Sequence, residues 1–295
     1  DVMHVFGKSA LTSAAVSFAK ATRKPLMVEL VNAADDPNQA EPRLFSSLLG
    51  VGYRKDTQIV CLSEGLKKAC LNHNYEPRQL WVRPNPIEGS KFYYEKGRRE
   101  KYRQRVSQFG FSDKILCYVA KFIPRKKQDF AVQVLRYLPT EYKLILAGPL
   151  EKTGPFANRD REYFDSIRSS IREHKLEKRI TLIPEFVQNP EEYMKASDVF
   201  LMPAIGEAFG TPFAESIACG VPVVANSLHD VYGGWINEGK NGYMCNLDAE
   251  IWANKVIDAI KISEAQMESA SAKILERASA DVVDRAYYER LITLS

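Results

Sequence analysis

The sequence lacks a long apolar run, a disulfide-like cysteine pattern and an excess of charge of either sign. No stretch approaches the roughly 20 apolar residues that a membrane span needs, and the opening residues carry no signal-peptide pattern, so a soluble, cytoplasmic chain is expected. The five cysteines, Cys61, Cys70, Cys117, Cys219 and Cys245, are odd in number and widely spaced within mostly apolar segments. That pattern predicts reduced, buried thiols and argues against a disulfide framework or a zinc site. A net charge of +4 over 295 residues makes no general case for nucleic acid as a partner. Histidine is scarce: His73, His174 and His229 have no partner at catalytic spacing, and His4 sits on an apolar strand, where a packed ring with satisfied nitrogens is expected. Internal repeats and low-complexity tracts are absent too.

One local charge excess stands out. From Glu95 to Arg105 six of eleven residues are Lys or Arg, spread around most of a helix circumference. A solvated surface helix is expected there, with contact to anionic lipid headgroups as the lesser reading.

What the chain does have is alternation. Strands are expected over 1–5, 26–31, 57–62 and 79–82, with helices over 9–20, 43–49 and from Ser63-Glu64 onward. A polar loop over 32–42 carries Asp35 and Asp36, which could line a cleft, although a plain polar loop explains them better. Pro84-Asn85-Pro86 cannot continue a ladder and marks a turn or linker. A second series follows, with strands over 115–120, 142–147, 179–183, 199–202, 221–225 and 242–245 and closing helices over 249–262, 264–278 and 281–294. Strands alternating with helices at this spacing imply right-handed crossovers and parallel sheets, and the length allows two domains.

Candidate chemistry gathers between Asp198 and Ala225. Thr211-Pro212 reads as an N-cap followed by a first helical residue, and Gly220 closes the short helix. The amides of Phe209, Gly210 and Phe213 are then expected to lack helical carbonyl partners and to form an anion or hydroxyl site. Glu207 and Glu215, with seven residues between them, flank those donors and could accept hydrogen bonds from a hexose and a ribose. Blander readings exist for both: the macrodipole favours an acid in a first turn, and Glu207 could be a solvated loop residue. Ligands of open parallel sheets bind beyond the carboxyl ends of the strands, where Lys121 and the cluster Arg125, Lys126 and Lys127 fall. Cations at a helix start oppose its dipole, so an anionic partner such as a diphosphate is expected. Gly148-Pro149 permits close backbone approach near the same crevice, or is only a turn.

The run Gly206-Glu207-Ala208-Phe209-Gly210-Thr211-Pro212-Phe213-Ala214-Glu215, followed by Ala218-Cys219-Gly220-Val221-Pro222-Val223-Val224, resembles the donor motif of retaining glycosyltransferases of family 4. Ala120-Lys121-Phe122-Ile123-Pro124-Arg125-Lys126-Lys127 is similar to the family's diphosphate segment, with Lys121 where Arg is usual and Lys127 where Gly is usual. An ammonium keeps the charge but not the bidentate fork of an arginine. At the end of the first strand Phe6 stands where many members carry a histidine.

The resemblance implies an α/β, GT-B-like fold of two Rossmann-like parallel-sheet domains, the first incomplete because the family's opening strands would precede Asp1. It implies a partial acceptor-side domain over 1–112, a donor nucleotide-sugar domain over 113–280 and a closing helix over 281–295 that crosses back. It further implies transfer of a sugar, with retention, from a UDP- or GDP-sugar to a carbohydrate or lipid-linked acceptor. No cofactor or metal is expected. Glu207, Lys121 and Lys126 would be catalytic, Phe209, Gly210, Thr211, Glu215 and Gly148 would bind the donor, and the backbone near Pro184-Glu185-Phe186-Val187 would meet the base. A sugar-nucleotide epimerase and a non-catalytic nucleotide-sugar binding module are the alternatives.

Overall fold

The computed structural model describes residues 1–7, 10–31, 57–228 and 231–294. The helix expected over 43–49, the loop with Asp35 and Asp36, and His229 lie outside the described residues. Within them, two all-parallel sheets form. The first runs in the order β1 (Met3–Phe6), β2 (Leu26–Leu30), β3 (Gln58–Cys61), β4 (Leu80–Val82). Helices α1 (Ala10–Thr22) and α2 (Glu64–Asn72) belong to this half, and the Ser63 side chain caps α2 by accepting from the Leu66 amide.

The second sheet holds six strands: β5 (Lys114–Val119), β6 (Tyr142–Ala147), β7 (Ile180–Ile183), β8 (Val199–Met202), β9 (Val223–Asn226) and β10 (Gly242–Cys245). Their order is β10-β9-β8-β5-β6-β7. The apolar runs Leu144-Ile145-Leu146 and Val199-Phe200-Leu201 are buried on both faces, as a parallel sheet covered by helices requires. Around it lie α3 (Arg98–Val106), α4 (Gln128–Arg136), α5 (Ala157–Glu173), α6 (Pro190–Ala196), α7 (Thr211–Ala218), α8 (Ala249–Ala259) and α9 (Glu264–Ala278). Among the described residues the cysteines are free thiols, four of them buried.

The chain passes between the two halves twice, and the passes are bonded together. The Ile87 amide donates to the Ala278 carbonyl at 2.7 Å, and the Ala280 amide donates to the Ile87 carbonyl at 2.9 Å. The last helix, α10 (Ala280–Leu294), then lies against the first sheet, as expected of the closing helix. Tyr287 bonds His4 Nδ1 at 2.8 Å and stacks on Trp81, while Arg290 donates to the Gln58 side chain. His4 is accordingly a packed residue, and Phe6 at the end of β1 is exposed.

The basic segment corrects the expectation of a solvated helix in part: Lys96, Lys101 and Arg105 are exposed, but two arginines are not. Arg98 and Arg103 of α3 are only 8 % and 5 % exposed. Arg98 donates to the carbonyls of Lys195 (2.8 Å), Ser197 (2.6 Å) and Gly220 (3.0 Å), so it caps the carboxyl ends of α6 and α7, where the helix dipole favours a cation. Burial draws its guanidinium down to about 10, which leaves it charged at neutral pH. Arg103 donates to the carbonyls of Ala196, Phe111 and Asp113 and, at 2.6 Å, to Asp198 Oδ2. Asp198 also accepts from the Ile115 amide at 2.7 Å and from Arg99 at 3.0 Å. These two charges are turned inward because α6 and the strand starts offer carbonyls and a carboxylate that the backbone does not satisfy.

Replacing Asp198 by Ala removes the carboxylate that balances the buried Arg103 charge and leaves the Ile115 amide without this acceptor, so a loss of about 3 to 5 kcal/mol is expected in urea unfolding. A loss below about 1 kcal/mol, as for an exposed ion pair, would show that the cluster is peripheral to stability.

Candidate functional site

Strand β5 lies at the centre of the larger sheet. The chain moves outward from it through β6 to β7, then returns to place β8 on its other flank. The loops after β5 and β8 therefore diverge, and the crevice between them is the switch point at which open parallel sheets bind ligands.

The loop after β5 is tightly held. Gln128 Nε2 donates to the Lys121 carbonyl at 2.9 Å, and the Tyr118 hydroxyl donates to the Lys126 carbonyl at 2.8 Å. Pro124–Lys126 form a single 3-10 turn, and Lys127, where the family resemblance expects glycine, adopts the left-handed conformation with φ +56°. Across the crevice, the Ile205 amide donates to the Arg125 carbonyl at 2.9 Å. Side chains make the same crossing: Lys126 Nζ and Arg125 Nη1 both meet Glu207 Oε1, at 2.6 and 2.7 Å. The anionic partner expected of these cations is thus present in the chain itself. Glu207 is only 11 % exposed, so it is not the solvated loop residue of the blander reading. Lys121 instead pairs with Glu151 at 3.1 Å near the surface.

The entry to α7 differs from the expected cap. Gly210, not Thr211, is the N-cap, with φ +76°, and Thr211 is already helical. A side chain at 210 would meet Met202 Cε at 2.9 Å and the Tyr232 ring at 3.1 Å as well as the unfavourable φ, so only glycine suits the turn. Thr211 Oγ1 accepts from Asn85 of the linker at 2.9 Å rather than capping the helix. Nor is the Phe213 amide free, since it donates to the Gly210 carbonyl at 3.0 Å. The amides of Phe209, Gly210 and Thr211 donate to no backbone carbonyl among the described residues. The Phe209 ring is buried against Phe213 and Trp235, so only its backbone can face a ligand.

Of the residues given catalytic or donor-binding roles, Lys121, Gly148 and Glu215 line one cleft of about 330 Å³, as does Val187 of the segment expected to meet the base. Pro212 of the α7 first turn joins them, with Phe186, Glu191 and Met194. Gly148 is at φ +144°, and a Cβ there would lie 2.1 Å from the Ala120 carbonyl oxygen, so the loops after β5 and β6 meet only because this residue is glycine. Burial pushes the Glu215 carboxyl up to about 7, with the charge of Glu191 adding to the effect. Glu191 escaped the sequence reading, although the Pro-Glu-Glu run opening α6 was the available signal. A larger cavity of about 520 Å³ between Trp235 and α9 contains none of the predicted residues.

This arrangement, a two-sheet parallel fold with a cleft at the switch point, meets its counterpart in known proteins. Residues 100–274, more than half of the chain, match the model of the family Glycosyl transferases group 1, and the protein belongs to that family. The N-acetyl-alpha-D-glucosaminyl L-malate synthase of Bacillus anthracis is 26 % identical over 195 residues, covering 64 % of this chain and 46 % of that protein. The D-inositol 3-phosphate glycosyltransferase of Mycolicibacterium smegmatis is 26 % identical over 167 residues, covering 54 % of this chain and 36 % of the relative. The chain thus spans less than half the length of these curated relatives. Among solved structures, Anabaena Alr3699/HepE in complex with UDP and glucose superposes with a TM-score of 0.79 at 17 % identity, covering 98 % of this chain and 78 % of that one. A glycosyltransferase from Rickettsia africae gives 0.82 at 17 % identity, covering 100 % and 76 %. The shared fold is that of the GT-B glycosyltransferases.

The high position of Glu215 has a measurable consequence. Its carboxyl holds a proton more tightly in the folded chain than at its ordinary value of 4.5. The folded state is therefore favoured below that value and loses the advantage as pH rises through about 7. Glu215→Gln should gain stability relative to the parent between about pH 5 and about pH 8 in chemical unfolding. A pH-independent difference would mean that Glu215 titrates normally.

Proposed function

We propose that the protein transfers a sugar, with retention at the anomeric carbon, from a nucleoside diphosphate-sugar to a carbohydrate or lipid-linked acceptor. The observation that carries this is the cleft at the switch point, where Lys121, Gly148, Glu215 and the α7 entry converge, with Glu207 on the adjoining loop. The fold shared with Alr3699/HepE, which was solved with UDP and glucose, supports a donor of this class.

In this reading Lys121 and the α7 amides hold the diphosphate, Glu215 accepts from the ribose hydroxyls and Glu207 accepts from the sugar. Lys126 orients Glu207 and adds positive charge where negative charge develops on the leaving diphosphate. Donors fixed in advance at that position stabilise the transition state without reorganisation. The donor side is assigned to 113–280, the acceptor side to 1–112 and the return contact to 281–295. Transfer is expected to proceed without a divalent metal and to survive EDTA. No membrane contact is assigned to α3, because Arg98 and Arg103 are held by internal acceptors.

Glu207→Gln preserves volume but removes the anion that Lys126 and Arg125 share. Transfer, measured as release of nucleoside diphosphate and formation of glycoside, should fall by about 10²- to 10³-fold, the loss typical when one preorganised polar group is removed. Lys121→Ala should weaken UDP or GDP by about ten- to a hundredfold and leave the free nucleoside unchanged, since charge-assisted bonds are worth about 1.5 to 3 kcal/mol. Parental transfer in Glu207→Gln would overturn its role in the reaction, and equal losses for nucleoside and diphosphate would show that Lys121 acts through structure.

A further inference from the structure

Among the acceptors lining the cleft that the proposed reaction leaves unused is a carboxylate without a partner of its own. Glu191, in the first turn of α6, lines the cleft together with Glu215, Phe186 and Met194. Its Oε2 is shielded from water and has no hydrogen-bond partner. The helix dipole accounts for an acid in that turn, but not for a carboxylate oxygen turned away from water with no donor. The terminal torsion of a glutamate is soft, so the carboxylate is free to turn toward a ligand in the cleft that its residue lines. Phe186, 76 % exposed, offers a ring face at the same cleft on which a planar base can stack. Lys91, held by Glu88 at 2.9 Å, also lines the cleft and lies within electrostatic range of Glu191.

We propose that Glu191 makes this cleft selective for guanine, accepting from the base's N1–H and exocyclic N2 amine, so that the donor is a GDP-sugar. This inference rests on the nucleotide-sugar reading of the site. An ionised carboxylate is acceptor-only and wants two adjacent donors. Guanine presents them beside its O6 acceptor, and Lys91 is the nearby cation suited to O6. Uracil presents a single N–H between two carbonyl oxygens, which would face the carboxylate with like partial charge. Adenine offers one amine next to a ring acceptor. A site built to bond a donor rejects the analogue lacking it, because its own buried acceptor is then left unpaired.

The test is calorimetric binding of GDP, inosine diphosphate, UDP and ADP to the 295-residue chain, and of GDP and UDP to Glu191→Gln. GDP should bind at least about tenfold more tightly than UDP and ADP, and inosine diphosphate, which lacks only the N2 amine, should lose about tenfold against GDP. Glu191→Gln should lose the preference by weakening GDP about tenfold with UDP little changed. Thermal unfolding of the variant should match the parent, and because inosine diphosphate removes the contact from the ligand side, the outcome does not depend on how the variant folds. UDP binding as tightly as GDP, or inosine diphosphate matching GDP, would overturn guanine selection and leave the nucleotide-sugar site standing. Absence of binding by every nucleoside diphosphate would overturn both.

Discussion

The structure depends on the carboxylate of Asp198. It sits in front of β8, takes Arg103 and the Ile115 amide on one oxygen and Arg99 on the other, and so ties the start of β8 to the start of β5 and to α3. These two strands flank the switch point. Their carboxyl ends are joined separately, by the Ile205 amide on the Arg125 carbonyl and by Glu207 on Arg125 and Lys126. Arg98 extends the network around Asp198 to the carboxyl ends of α6 and α7, the helices whose opposite ends meet the cleft. A buried ion cluster of this kind is costly to desolvate, and it persists because nearly every donor finds an oxygen.

At the other end of the sheet, close backbone approach takes the place of charge. The loops after β5 and β6 touch through Gly148, and the turn into α7 folds over Met202 and Tyr232 through Gly210. Both contacts leave little room for side chains, and Gly148 itself lines the cleft. Around them lie ionisable groups in contrasting states. Glu207 is satisfied by two cations, whereas Glu215 is half-buried without one and titrates near neutrality. A carboxylate already paired is suited to holding geometry, and one poised near 7 can both accept from and donate to a hydroxyl.

Much of the organisation was legible in the sequence. The strands over 142–147, 199–202 and 242–245 stand where alternation with helices put them, because short, largely apolar runs between turn signals admit few other structures. The motif around Glu207 and Glu215 marked the stretch after β8, where Glu215 lines the cleft and Glu207 meets the loop after β5. The failures share a cause. The basic helix was expected in solvent because composition records charge but not the carbonyls that α6 and Asp198 bring to it. Thr211 was expected as the cap because threonine is a common one, yet Gly210 holds that place since the turn is packed against Met202 and Tyr232, and Thr211 is taken by Asn85, 126 residues away in the chain.

The sequence by itself determined the fold class, two parallel sheets, and a short list of candidate site residues. These follow from local periodicity, turn chemistry and short-range motif spacing, which are properties of neighbours along the chain. Only the tertiary structure decided which charges pair with which, that Lys121 and Glu215 share a cleft while Lys126 and Arg125 close on Glu207, and that Glu191 joins the cleft at all. Those outcomes turn on contacts between segments dozens of residues apart, and the energy of an ionised group depends on its nearest oxygens and on the water excluded around it, neither of which is written in the order of the residues.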